Sequence, residues 1–297
     1  MKIGIVGLGA IGSLWAVKCH QNDHQVVGFT RSQVTETLSI QLDDSQPIRI
    51  KANDYHALQQ CQLLLVTVKS TQVTTALEPL HAFLNKDTPI IFLHNGMGAV
   101  DALDDKWHKN PLLLATTTQA AFRPIKNQVN HTGAGQTLIG PSLFTSSFNL
   151  AKIKDLIVEL DSVLPRVKWC DDIHNALWNK LIINCVINPL TAIHQCRNGE
   201  LASDKFKAQI SWLIDEICQV ISAEKIEISH QDLVDNVYRV IQSTAQNFSS
   251  MNQDIAHHRA TEIDFITGYL MRTANKHGLT LPHNQALMEQ IKALQTN

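Results

Sequence analysis

Gly7-Leu8-Gly9-Ala10-Ile11-Gly12 near the amino terminus form a GxGxxG pattern between an apolar run, Lys2 to Val6, and a segment that reads as a helix. In that setting each glycine has a task. Gly7 permits a tight turn, Gly9 lets the backbone approach a pyrophosphate, and Gly12 lets helix and strand pack closely, with the helix N-terminus facing the phosphate charge. The implied chemistry is binding of a dinucleotide. A site for NAD normally carries Asp or Glu about 20 residues onward, to hold the ribose 2′-hydroxyl. Here the second apolar run ends Phe29-Thr30-Arg31. A carboxylate would repel a 2′-phosphate, whereas Arg31 can pair with it bidentately, so the pattern points to NADP(H). The competing reading of Arg31 is an ordinary solvated arginine.

A second set lies in the later half. Lys180, Asn184 and Asn188 recur four apart, which stacks them along one face of a helix otherwise full of large apolar residues. Buried lysines and amides are costly unless paired, so this stripe suits a polar ligand better than a dry core; a face turned to solvent is the alternative. Lys69 follows the run Leu63 to Val68, and Asn95 follows Pro89 to Leu93 within His94-Asn95-Gly96-Met97-Gly98. Both stand beyond strand ends, where open parallel sheets bind ligands, although a turn former or a surface charge would occupy the same places. On pattern alone, Ser249 or Ser250 is a helix cap and Glu262 a surface charge.

The elements that must position these residues change character along the chain. The first half alternates β-rich runs (Lys2 to Val6, Gln25 to Thr30, Leu63 to Val68, Pro89 to Leu93, Leu112 to Thr117) with helical or polar stretches, as a parallel sheet with crossover helices does. Gly133 and Gly135 between two strand-like pieces over Gln128 to Ile139 read as a hairpin. A helix over Leu150 to Leu164 and a strand Val167 to Cys170 complete this half. Apolar residues then recur three and four apart (Ile210, Leu213, Ile214, Ile217, Ile221; Leu233, Val237, Val240, Ile241), so the second half is helical. Ser229 with Asp232 resembles a helix cap, and Gly278 followed by Pro282 marks a helix end. The expected architecture is an α/β Rossmann-type domain with a parallel sheet over 1–170, then an all-α substrate-binding domain over 171–297, with the active site in the cleft between them.

Composition narrows the function. The chain has 297 residues, enough for two domains, with 44% hydrophobic and 18% charged residues. No continuous apolar run approaches the roughly 18 residues of a membrane helix. With 25 basic and 27 acidic residues the net charge is −2, which gives no general attraction to nucleic acid or anionic membranes. A small molecule is the expected partner. Six scattered cysteines without a CxxC pair suit free thiols in a reducing cytoplasm. The apolar stretch after Met1-Lys2 looks superficially like a signal peptide, but three glycines interrupt it and a strand explains it better.

Taken together, GxGxxG, Lys69 after its strand, HNGMG at 94–98, KLIINCVINPLTAI at 180–193, NFSSM at 247–251 and TEIDFITG at 261–268 resemble the ketopantoate reductase family over the full length, in the right order. The resemblance implies NADPH-dependent reduction of 2-dehydropantoate to (R)-pantoate, a step toward pantothenate and coenzyme A. It implies Lys180 as general acid and Glu262 as the group holding the substrate's terminal hydroxyl and lying at the cofactor. It further implies Asn95, Asn184, Asn188, Asn247 and Ser250 around the substrate, and Gly7 to Gly12, Arg31, Lys69, Gln72 and Asn95 along the cofactor.

Three other readings compete. The 14 histidines invite a metal site, yet His20/His24 and His257/His258 lack an HExxH or a carboxylate cluster. A dehydrogenase for another 2-oxo or β-hydroxy acid would keep the Rossmann half without needing Glu262 and the asparagines together. A sensor that binds NADP(H) without turnover has no use for a proton donor such as Lys180. Monomer and homodimer are not distinguished by the sequence.

Overall fold

The computed structural model describes residues 1–32, 34–144 and 148–296. The chain divides into two compact units, residues 1–94 with 99–176 and residues 95–98 with 177–297.

The first unit is built on a sheet of strands β1 (Lys2–Val6), β2 (Gln25–Phe29), β3 (Glu36–Leu42), β4 (Ile48–Ala52), β5 (Leu63–Val66), β6 (Ile90–Leu93), β7 (Leu112–Thr117), β8 (Ala120–Phe122), β9 (Gln128–Gly133), β10 (Thr137–Pro141) and β11 (Val167–Trp169), in the order β11-β10-β7-β6-β5-β1-β2-β4-β3-β9-β8. From β7 to β4 every neighbouring pair is parallel. Leu63–Val66 and Ile90–Leu93 are buried at every position, as central parallel strands covered on both faces must be. β1 lies between β2 and β5, so the strand order reverses beside it. That is where an open α/β sheet presents a ligand crevice, beyond the carboxyl ends of its strands.

Among the described residues, four helices lie wholly within this unit: α1 (Ala10–Gln21), α2 (Tyr55–Leu58), α3 (Val73–Leu77) and α4 (Leu150–Val163). Seven residues of α1, from Gly12 through Val17 and Cys19, are buried. The helix is covered nearly all round because it packs on β1 and β2 and also on β3, β8 and β9.

The expected runs at β1, β2, β5, β6, β7, α4 and β11 form as read, within two residues at their ends. The hairpin over Gln128 to Ile139 does not. β9 pairs with β8 and β3, while β10 pairs with β7 and β11, so the two pieces flanking Gly133 and Gly135 never pair with each other. The hairpin that does form brings Leu112–Phe122 back against Gln128–Pro141, with its turn over residues 123–127 and a kink near the glycines. At the kink the Gln119 side chain acts as a short strand: its Nε2 donates to the Gly135 carbonyl and its Oε1 accepts the Gly135 N–H, both at 2.9 Å. A Cβ on Gly135 would stand 2.2 Å from the Thr118 carbonyl carbon. The glycine serves close approach, not a turn.

The second unit is helical, with α5 (Ile173–His194), α6 (Asp204–Ala223), α7 (His230–Ser243), α8 (Ser250–Ala256), α9 (Thr267–Lys276) and α10 (Pro282–Thr296); the division at 176/177 falls within α5. Ser229 caps α7 by accepting the Asp232 N–H at 3.1 Å. Gly278 takes φ +67° just after α9, and Pro282 opens α10 as its first residue. α5 is the one described helix long and apolar enough to cross a membrane, at mean hydropathy 1.2 over 18 residues, although Lys180, Asn184 and Asn188 interrupt its apolar runs. Two thirds of that window, 67%, is buried inside the protein, as a core helix requires.

Candidate active site

In the first unit the glycine loop joins β1 to α1. Gly7 has φ +90°, and a Cβ there would fall 2.5 Å from Val68 Cγ1. Around the Cβ position of Gly9 there is no heavy atom within 4 Å, which leaves its backbone open to a ligand. A Cβ on Gly12 would meet the Gly7 carbonyl oxygen at 2.0 Å and Thr67 Oγ1 at 2.4 Å. Thr67, just past β5, ties the two strand ends together by donating its hydroxyl to the Gly7 carbonyl at 2.6 Å. Gly9 caps α1 without any side-chain hydrogen bond. The first N–H groups of a 12-residue helix therefore point at the open side of the loop, as a phosphate site needs. Arg123, from the turn after β8, donates Nη1 to the Leu8 carbonyl at 2.9 Å and brings a guanidinium beside the loop. Sequence reading passed over it, because nothing local links residue 123 to residue 8.

Arg31 is exposed just beyond β2. Lys69 and Gln72 are half-buried in the turn that follows β5, closed by the Gln72 N–H donating to the Lys69 carbonyl at 2.8 Å. All lie past the carboxyl ends of strands next to the reversal in strand order. The residues suit a dinucleotide carrying a 2′-phosphate: an open glycine backbone, an uncapped helix start, and cations at the ends of β2 and β5.

In the second unit, Asn95 and Glu262 are brought together across 167 positions: Asn95 Nδ2 donates to Glu262 Oε2 at 3.2 Å. The backbone explains how. Met97 N–H donates to the Phe265 carbonyl at 2.8 Å, locking the 95–98 loop onto the single 3₁₀ turn Ile263–Phe265 that Glu262 precedes. Gly96 allows this with φ +79°, since a Cβ there would lie 2.4 Å from the Phe265 carbonyl oxygen. Gly98, at φ +91°, packs under the Tyr269 ring, which meets Trp178 edge-on at 5.6 Å.

Glu262 is buried at 7% exposure. Lys180, on α5 two residues beyond Trp178, is half-buried and interacts electrostatically with it. Burial lowers the Lys180 pKa to about 8 from the ordinary 10.5, and the Glu262 carboxylate opposes that fall. On the same face of α5, Asn184 is half-buried and Asn188 buried. The stripe thus combines a cation and two amides beside a buried carboxylate.

Asn247 and Ser250 sit at the start of α8, both exposed. Of the two serines, Ser249 is the buried cap: its Oγ accepts the Asn252 N–H at 3.0 Å and the Thr191 hydroxyl at 2.8 Å. Asn252, 3% exposed, donates to the Thr191 carbonyl at 2.8 Å. These bonds clasp α8 to the last turns of α5, one turn beyond Asn188. The Asn247 carbonyl accepts the Asn198 N–H at 2.9 Å. Asn252 is a further residue whose part the sequence did not disclose.

Among the described residues no group of three or more His, Cys, Asp or Glu side chains could hold a metal ion. All six cysteines are free, and burial pushes the thiols of Cys19 and Cys185 up to about 12.

Two family models match the chain, ketopantoate reductase PanE/ApbA over residues 3–143 and its C-terminal counterpart over residues 172–295. A 2-dehydropantoate 2-reductase of Vibrio cholerae serotype O1 is 46% identical over 297 residues, covering 99% of this chain and 98% of its own length. Among solved structures, a PanE/ApbA family ketopantoate reductase from Ralstonia eutropha superposes with a TM-score of 0.86 at 25% identity, covering 100% of this chain and 99% of that one. A D-mandelate dehydrogenase with NADH and anilino(oxo)acetate has the same fold at TM-score 0.86 and 23% identity, covering 100% and 98%. The chain belongs to the ketopantoate reductase family.

Proposed function

We propose that this protein reduces 2-dehydropantoate to (R)-pantoate with NADPH, using Lys180 as the proton donor, in the cytoplasmic route to pantothenate and coenzyme A. Its character as an oxidoreductase of this family follows from membership. The cofactor choice and the residue roles are the proposal. The observation that carries it is the cluster of buried Glu262 with half-buried Asn95 and Lys180 on the stripe-bearing unit.

Bound NADPH supplies the hydride. Hydride addition to a 2-oxo acid develops negative charge on the ketone oxygen, and a positioned cation must neutralise it. Lys180 does this and passes its proton to that oxygen. With a pKa of about 8 the lysine is about nine-tenths protonated at pH 7 yet close enough to that pH to release a proton readily. Glu262 accepts a hydrogen bond from the substrate's primary hydroxyl, which discriminates against 2-oxo acids lacking it. Asn95 donates to the other side of that carboxylate and fixes its direction. Asn184, Asn188, Asn247 and Ser250 donate to the substrate carboxylate and orient it. Gly7 to Gly12 and the start of α1 hold the pyrophosphate, Arg31 holds the 2′-phosphate, and Lys69, Gln72, Asn95 and Glu262 line the remainder of the cofactor.

The test is NADPH oxidation, followed by absorbance, with 2-dehydropantoate and with pyruvate and 2-oxoisovalerate as controls. Turnover confined to 2-dehydropantoate supports the assignment. Equal turnover of all three removes Glu262 from its specificity role, and cofactor binding without oxidation removes Lys180 from catalysis.

A further inference from the structure

Asn53 follows β4 and is 1% exposed, with its backbone in the left-handed region at φ 59°. Such a conformation is costly for most residues and tolerable for asparagine. Every polar group of this residue is used at once. Its N–H donates to the Gly28 carbonyl of β2 at 2.8 Å. Its Oδ1 accepts the Thr30 N–H at 2.9 Å, while Nδ2 donates to Thr30 Oγ1 at 3.1 Å and to the Val34 carbonyl at 3.0 Å. Its own carbonyl accepts the Thr35 hydroxyl at 3.0 Å.

These bonds grip Thr30 on one side and Val34 and Thr35 on the other, and the residue directly after Thr30 is Arg31. Among the described residues Arg31 has no hydrogen bond or ion pair, and it is exposed. A long side chain without a partner has no fixed direction of its own. Its reach is set by the backbone it leaves, and Asn53 fixes that backbone.

We propose that Asn53 is a positioning residue for cofactor choice: by holding Thr30 and Val34, on either side of Arg31, it lets Arg31 meet a 2′-phosphate, and thereby sets the preference for NADPH over NADH. This rests on the reading of Arg31 as the 2′-phosphate ligand. Asn53 touches neither cofactor nor substrate; it acts through Arg31.

The test compares binding of 2′,5′-ADP and 5′-AMP by titration calorimetry, and NADPH and NADH kinetics, in wild type, N53G, R31A and the double variant. Glycine keeps the left-handed backbone and removes only the amide. N53G should weaken 2′,5′-ADP about tenfold and leave 5′-AMP, the NADH KM and kcat within twofold. The double variant should bind 2′,5′-ADP no more weakly than R31A alone. Equal weakening of both nucleotides in N53G, or full additivity with R31A, overturns the proposal and makes Asn53 a purely structural residue. An R31A protein with unchanged 2′,5′-ADP affinity overturns the cofactor reading itself and this inference with it. Should N53G fold poorly by its thermal midpoint, T35V removes only the Thr35 bond to the Asn53 carbonyl, and the same outcomes apply to it.

Discussion

As the proposed proton donor, Lys180 would join the reaction to the stability of the fold, and pH separates the two. With its pKa near 8, the acid form falls from about 90% at pH 7 to about 50% at pH 8 and about 9% at pH 9. The profile of kcat/KM, which reports the free enzyme, should therefore be level below pH 7 and fall about tenfold by pH 9. The Glu262 carboxylate holds the lysine up, so E262Q should move the falling limb to lower pH, whatever it does to substrate affinity. Stability responds in the opposite sense. The gap between 10.5 and about 8 corresponds to about 3 kcal/mol by which the folded state disfavours the ammonium. Because the folded pKa lies below the unfolded one, this penalty is complete below pH 8 and fades between pH 8 and 10.5. K180M, with no charge to bury, should abolish turnover by a factor of about 10² to 10⁴ and raise stability at pH 7 by up to about 3 kcal/mol. The loss of a partner for Glu262 reduces that gain. Urea unfolding at pH 7 and pH 10 reads the stability difference, which should shrink at the higher pH. A limb above pH 10 in the wild type, a limb moved upward by E262Q, or a K180M protein less stable at pH 7 would each refute the reasoning.

Glu216 on α6 is buried at 5% exposure and accepts the His283 and Asn284 N–H groups and Asn284 Nδ2 at 2.7 to 2.9 Å, capping α10 from another helix. E216A leaves these donors unpaired and should cost about 2 to 4 kcal/mol in urea unfolding. The glycine loop separates fold from function: G12A forces a 2.0 Å contact and should lower the thermal midpoint by several degrees, whereas G9A, in open space, should keep the midpoint and weaken NADPH in calorimetry about tenfold or more. N252A breaks the clasp between α8 and Thr191 and should cost about 1 to 3 kcal/mol, with a raised KM for 2-dehydropantoate in steady-state assays.

What could be read from sequence was what short stretches of chain determine. β1 and β7 carry their whole signal in consecutive apolar residues, and the stripe of Lys180, Asn184 and Asn188 needs only the period of one helix. β3 and β4 carry the alternation of half-buried strands in Leu38, Ile40, Leu42 and in Ile48, Ile50, Ala52, a local signal that continuous apolar runs do not contain; what their sequence lacks is the partners, β2, β9 and α1, that bury one face. Gly133 and Gly135 misled for a related reason. A glycine marks either a turn or a close approach, and only the partner at Thr118 decides which.

Glu262 shows the limit most clearly. In its own segment it is one carboxylate among mixed neighbours, Thr261 and Asp264 beside Ala260, Ile263 and Phe265, and only the family resemblance marked it out. Its burial depends on a loop 167 positions earlier, which can dock only because Gly96 takes a positive φ and has no side chain to strike Phe265. Arg123, reaching Leu8 from the far end of a kinked hairpin, and Asn53, bonding Thr30, Val34 and Thr35 between 18 and 23 positions upstream, follow the same logic. Lys180, Asn184, Asn188 and the glycine loop leave local patterns because helix faces and strand ends are local. The groups that aim them do not, since each acts through a hydrogen bond to another element's backbone, and any residue type with a donor or acceptor at the right place will serve.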